Sequence, residues 1–407
     1  MAADARKFVR VQITRKGEVR LREGHPWVYD TEVVSLEAPC EDGSLVEVVS
    51  PRGRYLGVGF YNSCSKIRIR VISTNANDRF DRDFFRRRLK HAWEYRKTVM
   101  GADIGCCRLI FGEADQFPGL TVDRFGDILV TQTLSLGIEK IKPMLFEELL
   151  GLLREDGQTI RGIYERNDVS IRRREGMEEN KGFFRLESMP VPDSTETRIQ
   201  ENGIRYIVDF ENGQKTGFFL DQKYNRRAAA ALAGGKKVLD CFTHTGSFAL
   251  NAAKAGAACV HAVDISADAV AMAQRNARLN GLEANMSFEA ANVFDLLHSL
   301  PGQPYDYIIL DPPAFTKSHQ TVDAALRGYK EINLRAMKLL PRGGYLATCS
   351  CSHFMTEELF CKMLRAAAFD AKVALRQIEA RQQSPDHPIL WNVPETNYLK
   401  FYLFQVV

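Results

Sequence analysis

The sequence predicts a multi-domain protein whose C-terminal half is an α/β domain with a doubly wound parallel sheet. Two apolar runs, Val238–Asp240 and Tyr307–Asp311, each end in a loop of small or polar residues. A third run, Cys259–Asp264, also ends in a carboxylate and precedes a segment rich in Ala, Gln and Arg. Repetition of strand, turn and helix is typical of such sheets, which bind ligands at the carboxyl ends of their strands.

The first domain is predicted to span residues 1–74. Short alternating runs broken by Gly, Pro and Asn indicate a small β-barrel or roll, namely Phe8–Thr14, Ser44–Val49, Leu56–Phe60 and Ile67–Ile72. The first 100 residues carry 20 Lys and Arg against 13 Asp and Glu, a net charge of +7, although the whole chain has only +4. This basic part is expected to attract the phosphates of a nucleic acid.

Residues 75–195 are predicted to form a linker helix and a small α+β middle domain. The charged, aromatic-containing segment Asn75–Met100 has helical spacing, and Ile138–Glu155 predicts a second helix. Strand-like runs lie around them, at Cys107–Phe111, Leu120–Val122, Ile128–Thr133 and Gly162–Arg166. We find no catalytic constellation in this part of the sequence.

Residues 196–407 are predicted to form the α/β domain, with Met286–Asn292 as its third strand. Asp264 is expected to accept hydrogen bonds from both hydroxyls of a ribose, and Asn292 to face an adenine edge. Each of these residues taken alone also fits a helix cap or a turn. The loop after Asp240 contains neither Gly-x-Gly-x-x-Gly nor Gly-Lys-Ser/Thr, so a nucleoside cofactor without phosphates is favoured.

Composition excludes several classes of protein. The chain has 407 residues, of which 45% are apolar and 26% charged, as in ordinary globular proteins. No apolar run reaches the length of about 18 residues that a membrane span needs. Its nine cysteines form no Cys-x-x-Cys pair, which argues against a disulfide framework and a structural zinc site. We therefore expect a cytoplasmic protein with no metal.

The motifs together resemble those of a known family. Asp240–Gly246, Asp264, Asn292 and Asp311-Pro312-Pro313 are similar to the motifs of class I S-adenosylmethionine-dependent methyltransferases. Three further segments resemble the bacterial ribosomal RNA large-subunit methyltransferase I (RlmI-like) family, which makes 5-methylcytosine: Gly24–Trp27, Gln214–Gln222 and Thr348–Met355. The resemblance covers essentially the whole chain. It implies a PUA-like RNA-binding barrel and a Rossmann-like methyltransferase domain.

The resemblance also implies which residues do the chemistry. It assigns the nucleophile to Cys351 of Ser350-Cys351-Ser352, with Cys349 as the alternative, expected on the opposite face of the strand. Asp311 would bind the amine or ring nitrogen-3 of the cytosine. A thiolate needs positive potential or a proton acceptor nearby, for which His353 and Lys317 are candidates.

The resemblance also implies the residues that contact S-adenosylmethionine, which are Lys215, Thr216, Gly217, Phe218, Phe219, Asp221, Gln222, Asp240, Phe242, Thr243, Gly246, Ser247, Asp264, Ile265, Asn292, Val293, Asp311 and Pro312. Those expected on the substrate are Pro313, Phe315 and Lys317. The family usually has Asp where this chain has Asn292, which puts cofactor affinity in doubt. His25 and Trp27 fit either RNA contact or packing, and Asp386-His387-Pro388 is interpreted as a surface turn.

The implied partner is large-subunit rRNA, naked or in an early assembly intermediate, and a homodimer is left open. Two other functions remain compatible with the residues. Asp-Pro-Pro followed by an aromatic residue also suits methylation of an exocyclic amine of adenine or guanine. The chain would alternatively be a non-catalytic RNA-binding assembly factor, although the complete cofactor loop argues against that.

Overall fold

The structure is a computed structural model that describes residues 8–187, 189–302, 304–316 and 318–407. The chain divides into two compact units. The first contains the residues up to Thr197, Val208–Phe218 and Pro385–Thr396. The second contains Arg198–Ile207, Phe219–Ser384 and Asn397–Val407.

The first unit begins with a six-stranded sheet in the order β2-β6-β5-β4-β1-β3. Its strands are β1 Val9–Ile13, β2 Trp27–Tyr29, β3 Val33–Leu36, β4 Leu45–Val49, β5 Tyr55–Tyr61 and β6 Ile67–Ser73. Helix α1, Arg15–Arg22, follows β1 because the Thr14 side chain accepts a hydrogen bond from the Gly17 amide and caps it. Apolar side chains such as Val11, Val28 and Ile69 are fully buried, as the alternating sequence predicts.

A second sheet of the same unit has the order β11-β10-β9-β8-β7. Its strands are β7 Cys106–Phe111, β8 Leu120–Phe125, β9 Ile128–Thr133, β10 Gly162–Asn167 and β11 Asn180–Phe183. The helices are α2 Arg82–Met100, α3 Leu136–Glu155 and α4 Ile171–Arg174. The predicted linker helix and the second helix of this region are thus confirmed. Strands β12 Glu196–Glu201 and β13 Ile204–Asp209 pair with each other, and Arg198–Ile207 of this pair belongs to the second unit.

The second unit is built on a seven-stranded sheet in the order β16-β15-β14-β17-β18-β20-β19. Its strands are β14 Lys237–Cys241, β15 Cys259–Asp264, β16 Met286–Ala290, β17 Tyr307–Leu310, β18 Tyr345–Ser350, β19 Leu375–Arg381 and β20 Lys400–Val406. The first five of these strands along the chain are parallel, whereas β20 runs antiparallel to both of its neighbours. The predicted α/β fold is confirmed, and β14 and β17 are neighbours in the sheet.

Helices cover both faces of this sheet. They are α5 Lys223–Ala230, α6 Ser247–Lys254, α7 Ala267–Asn280, α8 Val293–Ser299, α9 Val322–Leu339 and α10 Glu357–Ala371. Alternate residues of one strand enter different cores, since Leu239 and Cys241 belong to one buried cluster and Val238 to the other. The chain reverses its winding direction between β14 and β17, and such a switch point opens a crevice at the carboxyl ends of the strands.

None of the helices in the described ranges combines the length and the apolar character that crossing a membrane requires.

Candidate active site at the carboxyl ends of the sheet

Asp240 ends the apolar part of β14 and organises the loop that follows. Its Oδ2 atom accepts hydrogen bonds from the Thr243 hydroxyl at 2.6 Å and from the Ala249 amide at 2.9 Å. Its other oxygen, Oδ1, is buried and has no partner among the described residues, as expected of an acceptor that a ligand's donor completes. Burial raises the pKa of Asp240 to about 7.

The loop after β14 has a strained backbone. Phe242 and His244 have positive φ angles of 63° and 52°, a region that residues with a Cβ atom rarely occupy. Gly246 has φ 82°, and a Cβ atom there would lie 3.0 Å from Cβ of Ala273. Ser247 then begins α6 as a buried residue. Strain of this kind persists where a ligand must approach the main chain closely.

Asp264 ends β15 beside this loop. Its Oδ2 atom accepts the His244 amide at 2.9 Å, and its Oδ1 atom accepts the Ser266 amide at 3.0 Å. Both oxygens retain a further lone pair, because a carboxylate accepts up to about four hydrogen bonds. The next residue, Ile265, has a side chain that is 73% exposed. A half-buried carboxylate next to an exposed apolar side chain fits a nucleoside, with its sugar on the acid and its base on the Ile265 side chain.

Asn292 follows β16, and the structure shows it as a helix cap. Its side-chain oxygen accepts the Phe294 amide at 2.9 Å at the start of α8, and Val293 is buried behind it. The cap is one of the two alternatives that the sequence allowed. It leaves one lone pair of the oxygen and the side-chain NH₂ group for a ligand, so the adenine contact stays a prediction.

Asp311 follows β17 and accepts the last of three consecutive hydrogen bonds, each of which is donated in the direction from Arg381 to Asp311. Arg381 can only donate, and its Nε atom bonds to Oδ1 of Asn225 at 3.0 Å. The Asn225 amide nitrogen therefore donates to Oε1 of Gln222 at 2.7 Å. The Gln222 nitrogen in turn donates to Oδ1 of Asp311 at 3.0 Å. This order determines the orientation of both amides.

The same carboxyl oxygen of Asp311 also accepts the thiol of Cys349 at 3.0 Å. With two donors on Oδ1, a proton carried by Asp311 belongs on Oδ2. Burial raises the pKa of Asp311, and its hydrogen bonds from Cys349 and Gln222 oppose this only in part. Asp311 is therefore protonated more easily than an exposed aspartate, and Oδ2 is the oxygen that would carry and donate the proton.

The loop after Asp311 combines a rigid turn with an aromatic cluster. Pro312 is buried and Pro313 exposed. The Phe315 ring packs at 4.6 Å from Tyr329 and 6.0 Å from Phe294, measured between ring centroids. Stacking of Phe315 on a substrate base therefore stays a prediction. The predicted substrate contact Lys317 lies outside the described residues.

The two candidate cysteines differ in environment. Cys349 lies within β18 and is 1% exposed, and its single thiol proton lies between two acceptors, Oδ1 of Asp311 at 3.0 Å and the Leu310 carbonyl at 3.2 Å. Cys351 lies beyond the end of β18 and is half-buried, with Sγ 3.9 Å from the Pro312 carbonyl. The expectation that they point to opposite faces of one strand was wrong, because residues two apart share a face and β18 ends between them. The two thiols differ in environment because β18 ends at Ser350, between them.

The two serines that flank Cys351 are held firmly. The Ser350 hydroxyl donates to Tyr329 at 3.0 Å, and the Ser352 hydroxyl donates to the Thr316 carbonyl at 2.7 Å. Both serines are buried, whereas His353 is exposed and contacts the Phe354 ring. Cys351 is thus presented from a fixed loop next to the Asp311 turn.

The segment before α5 divides between the two units. Lys215, Thr216, Gly217 and Phe218 belong to the first unit, where the Thr216 hydroxyl donates to Asp123 at 2.6 Å. Gly217 has φ +118°, and a Cβ atom there would lie 2.9 Å from the Val208 side chain. The cofactor contacts predicted for these residues stay predictions.

The rest of the segment belongs to the second unit. The Phe219 ring lies 4.9 Å from the His244 ring of the strained loop. Asp221 accepts the Tyr398 hydroxyl at 2.6 Å. Gln222, predicted to bind the cofactor, has its side-chain amide directed to Asp311. Sequence patterns missed the supporting residues Asn225 and Arg381, because neither lies in a recognisable motif and Arg381 is distant along the chain.

One sequence interpretation is corrected. Asp386 and His387 are not in a surface turn, since they are 0% and 2% exposed and lie in the first unit. Asp386 accepts the Arg108 amide at 2.8 Å, and its carbonyl accepts the Arg96 guanidinium at 3.0 Å. These long-range hydrogen bonds satisfy the carboxylate and the carbonyl of Asp386, which would bond to water in a surface turn. His25 in the same unit bonds to Glu395 at 3.0 Å, and Trp27 donates to Glu113 at 3.0 Å.

Comparison with known proteins identifies the relatives of this chain. A family model described as a PUA-like domain matches residues 11–74, and one described as an S-adenosylmethionine-dependent methyltransferase matches residues 188–405. The chain is 40% identical over 399 residues to the ribosomal RNA large subunit methyltransferase I of Shewanella denitrificans, covering 96% of this chain and 98% of that protein. It is 38% identical to the Escherichia coli O157:H7 protein of that name, over 98% of this chain and 100% of the relative.

Solved structures show the same fold. A Streptococcus mutans protein assigned as a SAM-dependent methyltransferase superposes with a TM-score of 0.80 at 23% identity, covering 98% of this chain and 100% of that one. A second methyltransferase-like protein, solved in complex with SAH, superposes with a TM-score of 0.81 at 22% identity over the same shares of the two chains.

Proposed function

The chain belongs to the ribosomal RNA large subunit methyltransferase I family, and we propose that it makes 5-methylcytosine in large-subunit rRNA through a covalent bond to Cys351. One observation carries the proposal: the half-buried thiol of Cys351 lies on a fixed loop next to the turn of Asp311, a carboxyl group whose pKa is raised by burial. S-adenosylmethionine is the cofactor of the domain.

The chemistry explains why a thiol is needed. Carbon-5 of cytosine is too weakly nucleophilic to take a methyl group directly. In our proposal, the Cys351 thiolate forms a bond to carbon-6, and the electron pair of the 5,6 double bond moves toward ring nitrogen-3. Asp311 donates its Oδ2 proton to nitrogen-3 as this charge develops. Carbon-5 then has the character of an enamine.

S-adenosylmethionine, when bound, supplies an electrophilic methyl group on its sulfonium sulfur. After carbon-5 has been methylated, loss of its proton to a base and breakage of the bond from Cys351 to carbon-6 restore the aromatic ring. Cys351 leaves as a thiolate, and Asp311 recovers the nitrogen-3 proton, so both groups return to their starting states. The strained loop and Asp264 hold the nucleoside part of the cofactor, and Asp240 offers Oδ1 to a cofactor donor.

The RNA would be bound with help from the PUA-like domain, whose surroundings in the first 100 residues carry the net charge of +7. A cytosine must leave its stack to reach Cys351, at a cost of a few kcal/mol. This favours a nucleotide in naked rRNA or in an early assembly intermediate.

A cofactor-binding test follows from the Asp264 geometry. Asp264→Ala is expected to weaken S-adenosylmethionine binding about tenfold to a hundredfold, because hydrogen bonds to a charged group contribute about 1.5–3 kcal/mol. Isothermal titration calorimetry measures the change. Asp268→Ala, at an exposed site on the first turn of α7, is the matched control and should bind as the wild type does. Equal affinity in the two variants would remove Asp264 from the cofactor site.

A second function is supported by the free Oδ2 atom of Asp311, which as an acceptor would bind an exocyclic amine of adenine or guanine. The two functions are distinguished by incubating the enzyme and cofactor with rRNA from cells that lack the protein, followed by nucleoside mass spectrometry. The proposal predicts 5-methylcytidine. Methylated adenosine or guanosine without 5-methylcytidine would support the second function and overturn the first.

A further inference from the structure

Lys400 is a buried lysine that the chemistry above does not use. It begins β20 directly opposite Ser350 of β18, and the residue is 7% exposed. Its Nζ atom donates to the Ser352 carbonyl at 2.6 Å and to the Tyr398 carbonyl at 2.9 Å. The lysine therefore ties the residue after Cys351 to the neighbouring strand.

Burying an ammonium group is costly unless nearby groups compensate for it. Burial lowers the pKa of Lys400 to about 8, and the negative charges of Cys351 and Glu357 oppose that effect. The attraction is mutual, so the charged lysine favours the charged thiolate as much as the thiolate favours the charged lysine. At neutral pH most of the Lys400 population still carries its proton.

We propose that Lys400 is a positioning residue that holds the Ser350–Ser352 loop and stabilises Cys351 as a thiolate. The inference rests on the proposed function, because it assigns to Lys400 the activation of the nucleophile. The sequence could not indicate it, since Lys400 is remote from Cys351 along the chain and lies in an otherwise ordinary apolar strand.

Of the other titratable groups described around this loop, His353 is exposed and contacts the Phe354 ring. Cys349 lies on β18, Tyr329 on α9 and Asp311 after β17, and all are neutral or negative. Glu357, at the start of α10, accepts the Tyr402 hydroxyl at 2.6 Å and acts on Lys400 by its negative charge. A buried cation next to these groups therefore favours ionisation of the thiol.

The test measures the thiol itself, in the full chain without RNA. The rate of Cys351 alkylation by iodoacetamide is followed against pH by peptide mass spectrometry in the wild type, Lys400→Met and Lys400→Arg. We expect the wild-type thiol to titrate below the ordinary value of about 8.5. Lys400→Met should raise the pKa of the Cys351 thiol by about one unit, which is a tenfold loss of thiolate at neutral pH. Lys400→Arg should restore most of the lost thiolate.

Lys362→Met, at an exposed position on α10, serves as the control and should leave the profile unchanged. Identical profiles for the wild type and a folded Lys400→Met would overturn the inference. If Lys400→Met does not fold, the wild-type profile decides, because a Cys351 thiol that titrates at or above about 8.5 would also overturn it. Alkylation needs no methyl acceptor, so a failure of the proposed function would be seen separately, in the rRNA products.

Discussion

Replacing Cys351 with alanine is expected to reduce methyl transfer to rRNA by on the order of 10⁴-fold or more, because the variant cannot form the bond to carbon-6. Binding of S-adenosylmethionine should be unchanged, since the cofactor residues lie on other strands. The rate is measured as transfer of labelled methyl groups to rRNA under single-turnover conditions, which separates the chemical step from product release.

Cys349→Ala is the matched control for this substitution. Cys349 packs in a buried cluster and donates to Asp311, so its loss should lower stability slightly and the rate by much less than the Cys351 change does. If Cys351→Ala retained turnover, amine methylation would become the better account. If instead only Cys349→Ala were inactive, the nucleophile would be Cys349 and the assignment above would be wrong.

Asp311→Asn is expected to lower the rate constant of methyl transfer by about 10²–10⁴-fold. An asparagine can keep its oxygen toward Gln222 and Cys349 and offer an NH₂ group where Oδ2 stands, so the shape of the site is preserved. It can donate a hydrogen bond to nitrogen-3 but cannot transfer a proton. We expect the loss to appear in the maximal rate constant of methyl transfer.

The pH dependence provides an independent check of the same role. Since burial raises the pKa of Asp311, the wild type should lose activity on the alkaline side as this acid ionises, and Asp311→Asn should lack that limb. Asp323→Asn, an exposed site on the first turn of α9, should behave as the wild type. If Asp311→Asn lost activity at alkaline pH just as the wild type does, the ionisation responsible would belong to another group.

Much of the second unit could be predicted from local patterns. Asp240, Asp264 and Asp311 each follow a short, mostly apolar run, and the structure places them and Asn292 at the ends of four parallel strands. Parallel strands buried on both faces have continuous apolar sequences, so their ends are visible where polarity begins. The sequence alone therefore locates the loops that follow these strands.

Contacts made between distant segments could not be predicted in this way. The chain from Arg381 through Asn225 and Gln222 to Asp311 depends on how β19 and α5 lie against β17, which no local pattern encodes. Lys400 opposes Ser350 only because β20 inserts antiparallel beside β18. The turn at Asp386 is buried, which the sequence does not indicate because its partners, Arg96 and Arg108, are far away along the chain.

The covalent bond between Cys351 and the base is tested most directly with large-subunit rRNA that contains 5-fluorocytidine. Fluorine at carbon-5 cannot leave as a proton does, so a methylated adduct should remain attached to the enzyme. We predict a complex that survives denaturation, requires S-adenosylmethionine, and carries the nucleotide mass on the peptide that contains Cys351. Efficient methylation of natural rRNA with no such adduct, or an adduct on a different cysteine, would contradict the assignment.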